Sequence, residues 1–501
     1  MRVQVCRQRV LCDHVDNVRG GFRHRQEQMN PPSAHAESRS AGAAGPRVGP
    51  RVLAALLANG VQQLTFAELA ELAGASRRSM SMVARELEPV AVIRRDPLRF
   101  GSGSGLVLSF EVGVEDLRGA LVDANGGTFC DRSADADPTQ LGGDPSHLLD
   151  RLKALARQIL EAGFTFIDAD GNKLTDSDGC LPLIGTTVAW PAPVGRDGFA
   201  HGHAFADKQW HAVPLSRRVG ATLGGPFEDL RRVDGINAAN AAVMAVVFDR
   251  TRLRSGESET AHSEIAMVVR LQGGISAGTM QIARHRPGQP LAFIKSRLVV
   301  GTNGFAGELG HLPISTSIRE SINADRPRRL AEISDWWCSC QQRGHLEGLA
   351  SVRALMQRLR QSSGYEIEVD APMGPQITKL LENPDEVLGR ALHDVGRLIG
   401  GALASPILML DPASITLSGY LALDSVVDGV RREQHTWSTG VSNSVTIDRL
   451  DGTANELVEV RGAALAMFRR QLYRDMSKLI DPDKRARLTV QLPPTYLEQL
   501  K

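Results

Sequence analysis

From Arg51 onward the hydrophobic positions fall into a regular order. RVLAALLANG repeats at helical spacing and ends at Gly60, a residue that stops helices readily. Thr65 precedes FAELAELA, Gly74 interrupts the pattern, and Ser76 precedes RRSMSMVAREL, which stops before Pro89; both hydroxyl residues stand where an N-cap is needed. The spacing predicts helix, helix, tight turn, helix, with Leu69, Leu72, Met80 and Val83 turned inward. A short AVIRR strand, DPLRF and a GSGSG turn follow. The pattern then becomes α/β. LVLSFEVGVEDLRGALVDANG reads as a β-hairpin with a turn at Asn125, Gly126 and Gly127, residues 146–163 as an amphipathic helix, and LPLIGTTVAW as a buried strand. IAMVVRL and LQGGISAG give a further strand pair; a long helix over about 386–405 leads to SPILML, SITLSG and a last helix in VRGAALAMFRRQLYRDM.

This run exceeds one core. At 501 residues two or three domains are expected, and 42% apolar content is ample for them. Residues 1–46 are the exception: arginine mixed with small residues, ending in PPSAHAESRSAGAAGPR, predicts a disordered tail, with Met29 a second candidate start. No apolar run approaches the roughly 20 residues that span a bilayer, and the first residues are too polar for a secretory signal, so a cytoplasmic protein without membrane partners is expected. Six scattered cysteines argue for reduced thiols.

The net charge of +1 hides an asymmetry. Residues 1–110 hold fifteen arginines, no lysine and nine acids, a net of +6 that leaves −5 for the rest. A basic front end suits a polyanion. The second and third helices, joined through Ala73, Gly74 and Ala75, have the proportions of a helix-turn-helix, and AVIRR with DPLRF those of a wing. Arg77, Arg78 and Ser79, in the first turn behind the capping Ser76, are the expected DNA contacts, with Arg94, Arg95 and Arg99 on the wing. An ordinary helical bundle with a solvated arginine pair is the alternative.

Between Gly301 and Glu347 the chain gathers GTNGFAGELGH and CSCQQRGHLE. His311, Cys338, Cys340 and His345 supply the four nitrogen and sulfur ligands of a closed zinc site, with Glu308 and Glu347 beside them as hydrogen-bond acceptors for a polyhydroxylated ligand. Two inert thiols and two ordinary histidines are the alternative.

These segments together, with INAANAAV and DPASITLSG in the same order, resemble the ROK family (repressors, open reading frames and sugar kinases) over roughly residues 48–472. The resemblance implies an α/β, two-lobed actin-like ATPase fold preceded by the winged helix-turn-helix. The expected division is a DNA-binding domain over 47–106, an N-terminal lobe over 107–245, a C-terminal lobe with the zinc and sugar site over 246–475, and a C-terminal extension over 476–501. It implies a structural zinc on His311, Cys338 and Cys340, with His345 where the family has a third cysteine and Gln341 where it has a glycine. It implies sugar contacts from Asn237, Glu308, His311 and Glu347. The family's catalytic aspartate is replaced by Ala238. An alanine cannot take the proton of an attacking hydroxyl. The first phosphate segment reads Glu111-Val112-Gly113-Val114-Glu115, where Glu115 would repel phosphates; the second, Gln272 to Gly278, has lost two glycines; and Tyr420 replaces a glycine near the adenosine side. The expectation is a sugar-responsive repressor with a kinase-dead body, bound to an operator DNA and a sugar or sugar-phosphate effector as a homodimer or homotetramer. An ATP-dependent sugar kinase, or a regulator answering a protein partner, is the alternative.

Overall fold

The computed structural model describes residues 45–58, 65–88, 93–95, 98–113, 116–135, 145–169, 171–195, 197–201, 213–253, 263–283, 292–334, 336–368, 371–437 and 445–501. The tail to residue 44, the stop at Gly60, Pro89, Val114, Glu115 and the side chains of Leu72, Arg94, Arg95 and Arg99 lie outside the described residues.

Among the described residues the first elements are three helices: α1 (Gly45–Ala58), α2 (Phe66–Leu72) and α3 (Arg77–Leu87). α1 begins ahead of the periodic run and takes in Gly45 and Pro46. Thr65 and Glu68 form a capping box on α2. Gly74, at φ 56°, ends α2 in a Schellman turn, with Ala75 N–H donating to Ala70 O at 2.7 Å and Gly74 N–H to Glu71 O at 2.9 Å. Ser76 caps α3 by accepting from Ser79 N–H at 3.1 Å. Leu69, Met80 and Val83 are buried, as the periodicity requires. β1 (Ile93–Arg95) and β2 (Leu98–Phe100) pair antiparallel, setting Arg94 opposite Arg99.

The first sheet holds β3 (Leu106–Val112), β4 (Asp116–Asp123) and β5 (Thr128–Asp135) as a meander, covered by α4 (Pro145–Thr165), then β6 (Leu181–Trp190). The turn at Asn125 joins β4 to β5 and not β3 to β4; Asp123 Oδ1 accepts from the N–H groups of Asn125 and Gly127 and fixes it. β6 is buried along its whole length because it has neighbours on both edges and both faces. A small ladder of β7 (Phe199–Ala200) and β8 (Val213–Pro214) stands aside, and β9 (Val233–Asn237) adds parallel to β6.

α5 (Ala238–Leu253) leads to the second sheet, made of β10 (Glu264–Leu271), β11 (Ile275–Ile282) and β12 (Arg297–Leu298). α6 (Glu386–Leu410) is capped by Asp385 and runs past the predicted stop, with Pro406 inside it and Ile407 buried to anchor the last turn. β13 (Ser414–Ser418), α7 (Asp424–Trp437) and β14 (Thr446–Arg449) follow; the sheet order is β12-β11-β10-β13-β14. α8 (Val458–Phe468) returns to the first sheet, where it packs on β3 and β6, and β15 (Val490–Leu492), in the stretch read as an extension, pairs with β6.

The two lobes meet where α5, lying on the second sheet, crosses α8, lying on the first. The approach is so close that a Cβ on Gly462 would stand 1.7 Å from Ala241 O, which only glycine allows. The N-terminal helices share this central core. Phe100 is tied to the body by Asn125, whose Oδ1 accepts from Phe100 N–H at 3.3 Å and whose Nδ2 donates to Phe100 O at 3.1 Å. No helix among the described residues is long and apolar enough to cross a membrane.

Candidate metal centre and sugar site

The site is assembled on β11. Ala277 N–H donates to Gly307 O at 2.7 Å, and Gly307, at φ 97°, lies so near β11 that a Cβ would stand 1.8 Å from Ala277 O. The chain then tightens into a 3₁₀ turn over Leu309–His311. Opposite it, Pro313 bridges His345, with Ile314 N–H donating to Gly344 O and Leu346 N–H to Leu312 O, both at 2.9 Å. Cys338 opens a tight turn closed by Gln341 N–H to Cys338 O at 2.8 Å, and Gln341 sits at φ 63°. A glutamine there carries strain that a glycine would not.

These turns bring four predicted ligands together. One ligand atom from each of His311, Cys338, Cys340 and His345 lies within 4.8 Å of all the others. Cys338 Sγ is 3.2 Å from His311 Nδ1, and Cys340 Sγ is 3.2 Å from His345 Nδ1. Sulfur and imidazole nitrogen at such separations fit a tetrahedral Zn²⁺, whose bonds of about 2.0–2.3 Å need ligands this close. Burial, with Glu347 nearby, pushes the Cys338 thiol up to about 12, and burial lowers the His311 imidazole, opposed by Glu347. A bound metal would reverse the first effect, since a coordinating thiol is deprotonated.

The carboxylates flank this cluster. Glu347 Oε1 accepts from Ser339 N–H at 2.9 Å and lies 3.5 Å from Cys338 Sγ, while Glu308 Oε2 is 3.6 Å from His311 Nε2. Burial and the neighbouring Glu347 push Glu308 up to about 7. Glu308 and His311 keep part of their surface open, at 22% and 34% of the side chain.

Asn237 is differently engaged. Its Oδ1 caps α5 by accepting from Ala239 N–H at 2.9 Å and Asn240 N–H at 3.2 Å, and its Nδ2 donates to Ala192 O at 3.1 Å. No hydrogen bond or ion pair among the described residues joins it to Glu308, His311 or Glu347. It lines instead a cavity of about 360 Å³ along β9, with Gly195, Asp234, Asn240 and Arg470. Ala238, the first residue of α5, is 1% exposed.

The DNA-contact candidates lie elsewhere. Arg77 and Arg78 are exposed on the first turn of α3, Ser76 and Ser79 are joined by a 2.9 Å hydroxyl contact, and Arg94, Arg95 and Arg99 fall on the β1–β2 ladder.

Sequence reasoning missed Arg270 and Glu459, two fully buried charges that meet between the lobes. Each stood inside an apolar run, IAMVVRL and ELVEVRGAALAMF, and a charge in such a pattern needs a buried partner.

Comparison with known proteins agrees with this architecture. No curated protein matches the sequence. A crystal structure of a ROK family transcriptional regulator, a homologue of the E. coli MLC protein, matches with a TM-score of 0.53 at 16% identity, over 86% of this chain and 99% of that one. A ROK family glucokinase from Streptomyces griseus, in complex with glucose and AMPPNP, matches at 18% identity over 72% of this chain and 98% of that one, with a TM-score of 0.49. The regulator's match carries the fold, a mixed α/β actin-like kinase fold. Residues 292–467, which hold the whole His311 and Cys338 cluster, match the ROK family model, so the chain contains a ROK family domain.

Proposed function

We propose that the protein is a DNA-binding transcriptional regulator, a repressor, whose kinase-like body binds a sugar or sugar derivative without phosphorylating it. The observation that carries this reading is the pairing of a ligand-ready cluster with Ala238. Glu308, His311 and Glu347 offer acceptors and an imidazole around one point, whereas the position from which a sugar kinase draws its general base holds a buried methyl group.

In this reading zinc on His311, Cys338, Cys340 and His345 fixes the two turns that aim Glu308 and Glu347, and supplies no chemistry. Arg77 and Arg78 reach base edges and phosphates from α3, while Ser76 and Ser79 hold the start of that helix. Arg94, Arg95 and Arg99 add phosphate contacts from the β1–β2 ladder. Two copies of the chain, as a homodimer or within a homotetramer, present two α3 helices to a symmetric operator. The body has a physical path to the head: Arg461 on α8 donates to Gly126 O at 3.0 Å and pairs with Asp249 on α5 at 2.8 Å, and Gly126 lies in the turn whose Asn125 grips Phe100. A sugar shifts the head only by the difference in its affinity for two arrangements of this body.

The test is a mobility-shift titration with DNA from upstream of the protein's own coding sequence, at several salt concentrations and with a panel of free and phosphorylated sugars. Retention that weakens steeply with salt and changes with one sugar is expected. Loss of all retention at low salt, or sugar-dependent release of ADP from ATP, defeats the reading.

A further inference from the structure

The cleft between the two sheets is closed by the chain's own charges. Arg270, near the end of β10 and 4% exposed, donates through Nη2 to Glu111 Oε1 on β3 at 2.5 Å and through Nε to Glu459 Oε1 on α8 at 2.8 Å. The same Nη2 reaches Gln272 Oε1 at 2.5 Å. Glu111 and Glu459 are 1% and 0% exposed. One strand from each sheet and the helix at their crossing therefore converge on a single guanidinium.

A second set of links runs beside the first. Arg118 faces Glu111 across the β3–β4 ladder. It donates to Asp116 at 2.6 Å, to Glu456 O at 2.8 Å and to the Tyr420 hydroxyl, beyond β13, at 3.4 Å. Asn455, just ahead of α8, makes a two-way amide pair with Gly419, at 2.8 and 3.1 Å. Gln272 folds over this corner, since a Cβ on Gly419 would stand 2.8 Å from Gln272 Cγ.

We propose that this network is an interlobe clamp, which holds the two lobes at one angle and fills the space where a nucleotide's phosphates would lie between them. Three of its members, Glu111, Gln272 and Tyr420, stand in the segments that resemble the family's nucleotide loops. Arg270 and Arg118 are both paired with carboxylates, so neither is free to meet a phosphate, and a triphosphate would face Glu111 and Glu459 at close range in a low dielectric. The clamp holds more carboxylates than guanidinium groups. Glu111 Oε2 and Glu459 Oε2 are buried without a hydrogen-bond partner, and burial with the charge of Glu459 pushes Glu111 up to about 7, so a proton can settle there. Buried ion pairs seldom increase net stability. Their value here is geometric: a guanidinium with fixed directions admits one lobe angle where an apolar contact would admit several.

The inference rests on neither the DNA-binding nor the sugar-binding reading, and its test uses neither ligand. Full-length protein is titrated with Mg-AMPPNP by calorimetry, and amide hydrogen exchange is followed in the wild type and in the triple variant Glu111→Gln, Arg270→Met, Glu459→Gln. That variant keeps volume and removes charge, so it folds even if Arg270→Ala alone does not. Expected are no saturable nucleotide binding by the wild type and exchange on the order of tenfold faster in the triple variant at Gln272–Ser276 and Gly419–Tyr420, with β6 unchanged. Saturable binding of Mg-AMPPNP to the wild type, or equal exchange in the two proteins at those segments, overturns the clamp.

Discussion

The His311 cluster and the Arg270 cleft are both rich in ionisable side chains, and they use them in opposite ways. Around His311 the polar groups converge: four ligand atoms face one another, and Glu308 and Glu347 stand at the rim with partial exposure. Around Arg270 the polar groups fill one another, buried and bonded across three elements. The first arrangement turns its ligand atoms toward one shared point at a partly exposed rim; the second turns its guanidinium onto two buried carboxylates. Binding without group transfer, as proposed above, would need the first region to stay open to a ligand while the second stays closed.

The sharpest way to break this contrast is to remove a zinc ligand. Cys338→Ser should abolish bound zinc, measured by atomic absorption on purified protein, and loosen the turns carrying Glu308 and Glu347, because metal binding energy is spent on folding such sites. Unaltered metal content would show that the cluster is only two thiols and two histidines. In the closed region a comparable change should cost stability and nothing else. Arg270→Ala strands two buried carboxylates, at about 3–5 kcal/mol, read as a lowered unfolding midpoint with zinc content unchanged. Loss of zinc in this variant would mean that the regions are not separable.

Gly307→Ala tests the geometry of the open region with the ligands left in place. The residue sits at φ 97° with no room for a Cβ beside Ala277 O, so the substitution must push the Glu308 turn off β11. Strain of about 1–2 kcal/mol from the backbone alone, plus the clash, should weaken sugar binding by at least tenfold while α-helical content holds. Sugar affinity equal to wild type would place the ligand elsewhere, with the 360 Å³ cavity along β9 the next location to probe.

How much of this was legible follows the same division. The open cluster was readable because its residues lie close in sequence, and a C-x-C pair with two histidines is a pattern with few other uses. The caps at Thr65 and Ser76, and the buried β6, were readable because they are local. The clamp was not. Glu111, Arg270 and Glu459 are separated by 159 and 189 positions along the chain, and only the crossing of α5 and α8 brings their strands and helix to one place. The turn at Asn125 was recognised but assigned to the wrong strand pair, since turn chemistry fixes where a chain reverses and not which strands it joins. Asn237 was read as a ligand from its motif, while its place before α5 recruits its side chain as a cap.

DNA contact should be indifferent to both regions' interiors. Arg77→Ala or Arg78→Ala removes an exposed side chain from α3, so unfolding should not change, while each lost base or phosphate contact should weaken operator binding by about 1–3 kcal/mol. Sugar affinity measured on the same variants should match wild type. Unchanged operator affinity in both variants would move the DNA surface off α3, and would leave the body's open site without a demonstrated output.

The smallest effect concerns one strained residue of the open cluster. Gln341 follows Cys340 at φ 63°, its side chain is exposed, and its N–H closes the turn onto Cys338 O. Gln341→Gly removes strain of about 1–2 kcal/mol and gives back about 0.4–1 kcal/mol through the freer unfolded chain. The remainder, up to about 1.6 kcal/mol, should appear as slower zinc release to a chelator, because the turn that presents Cys338 and Cys340 together is then unstrained. The clamp offers no such relief, for every partner of Arg270 sits in a strand, a helix or the adjoining turn that the fold already requires. If Gln341→Gly releases zinc faster than wild type, the left-handed turn is held by the glutamine side chain itself and the strain argument fails.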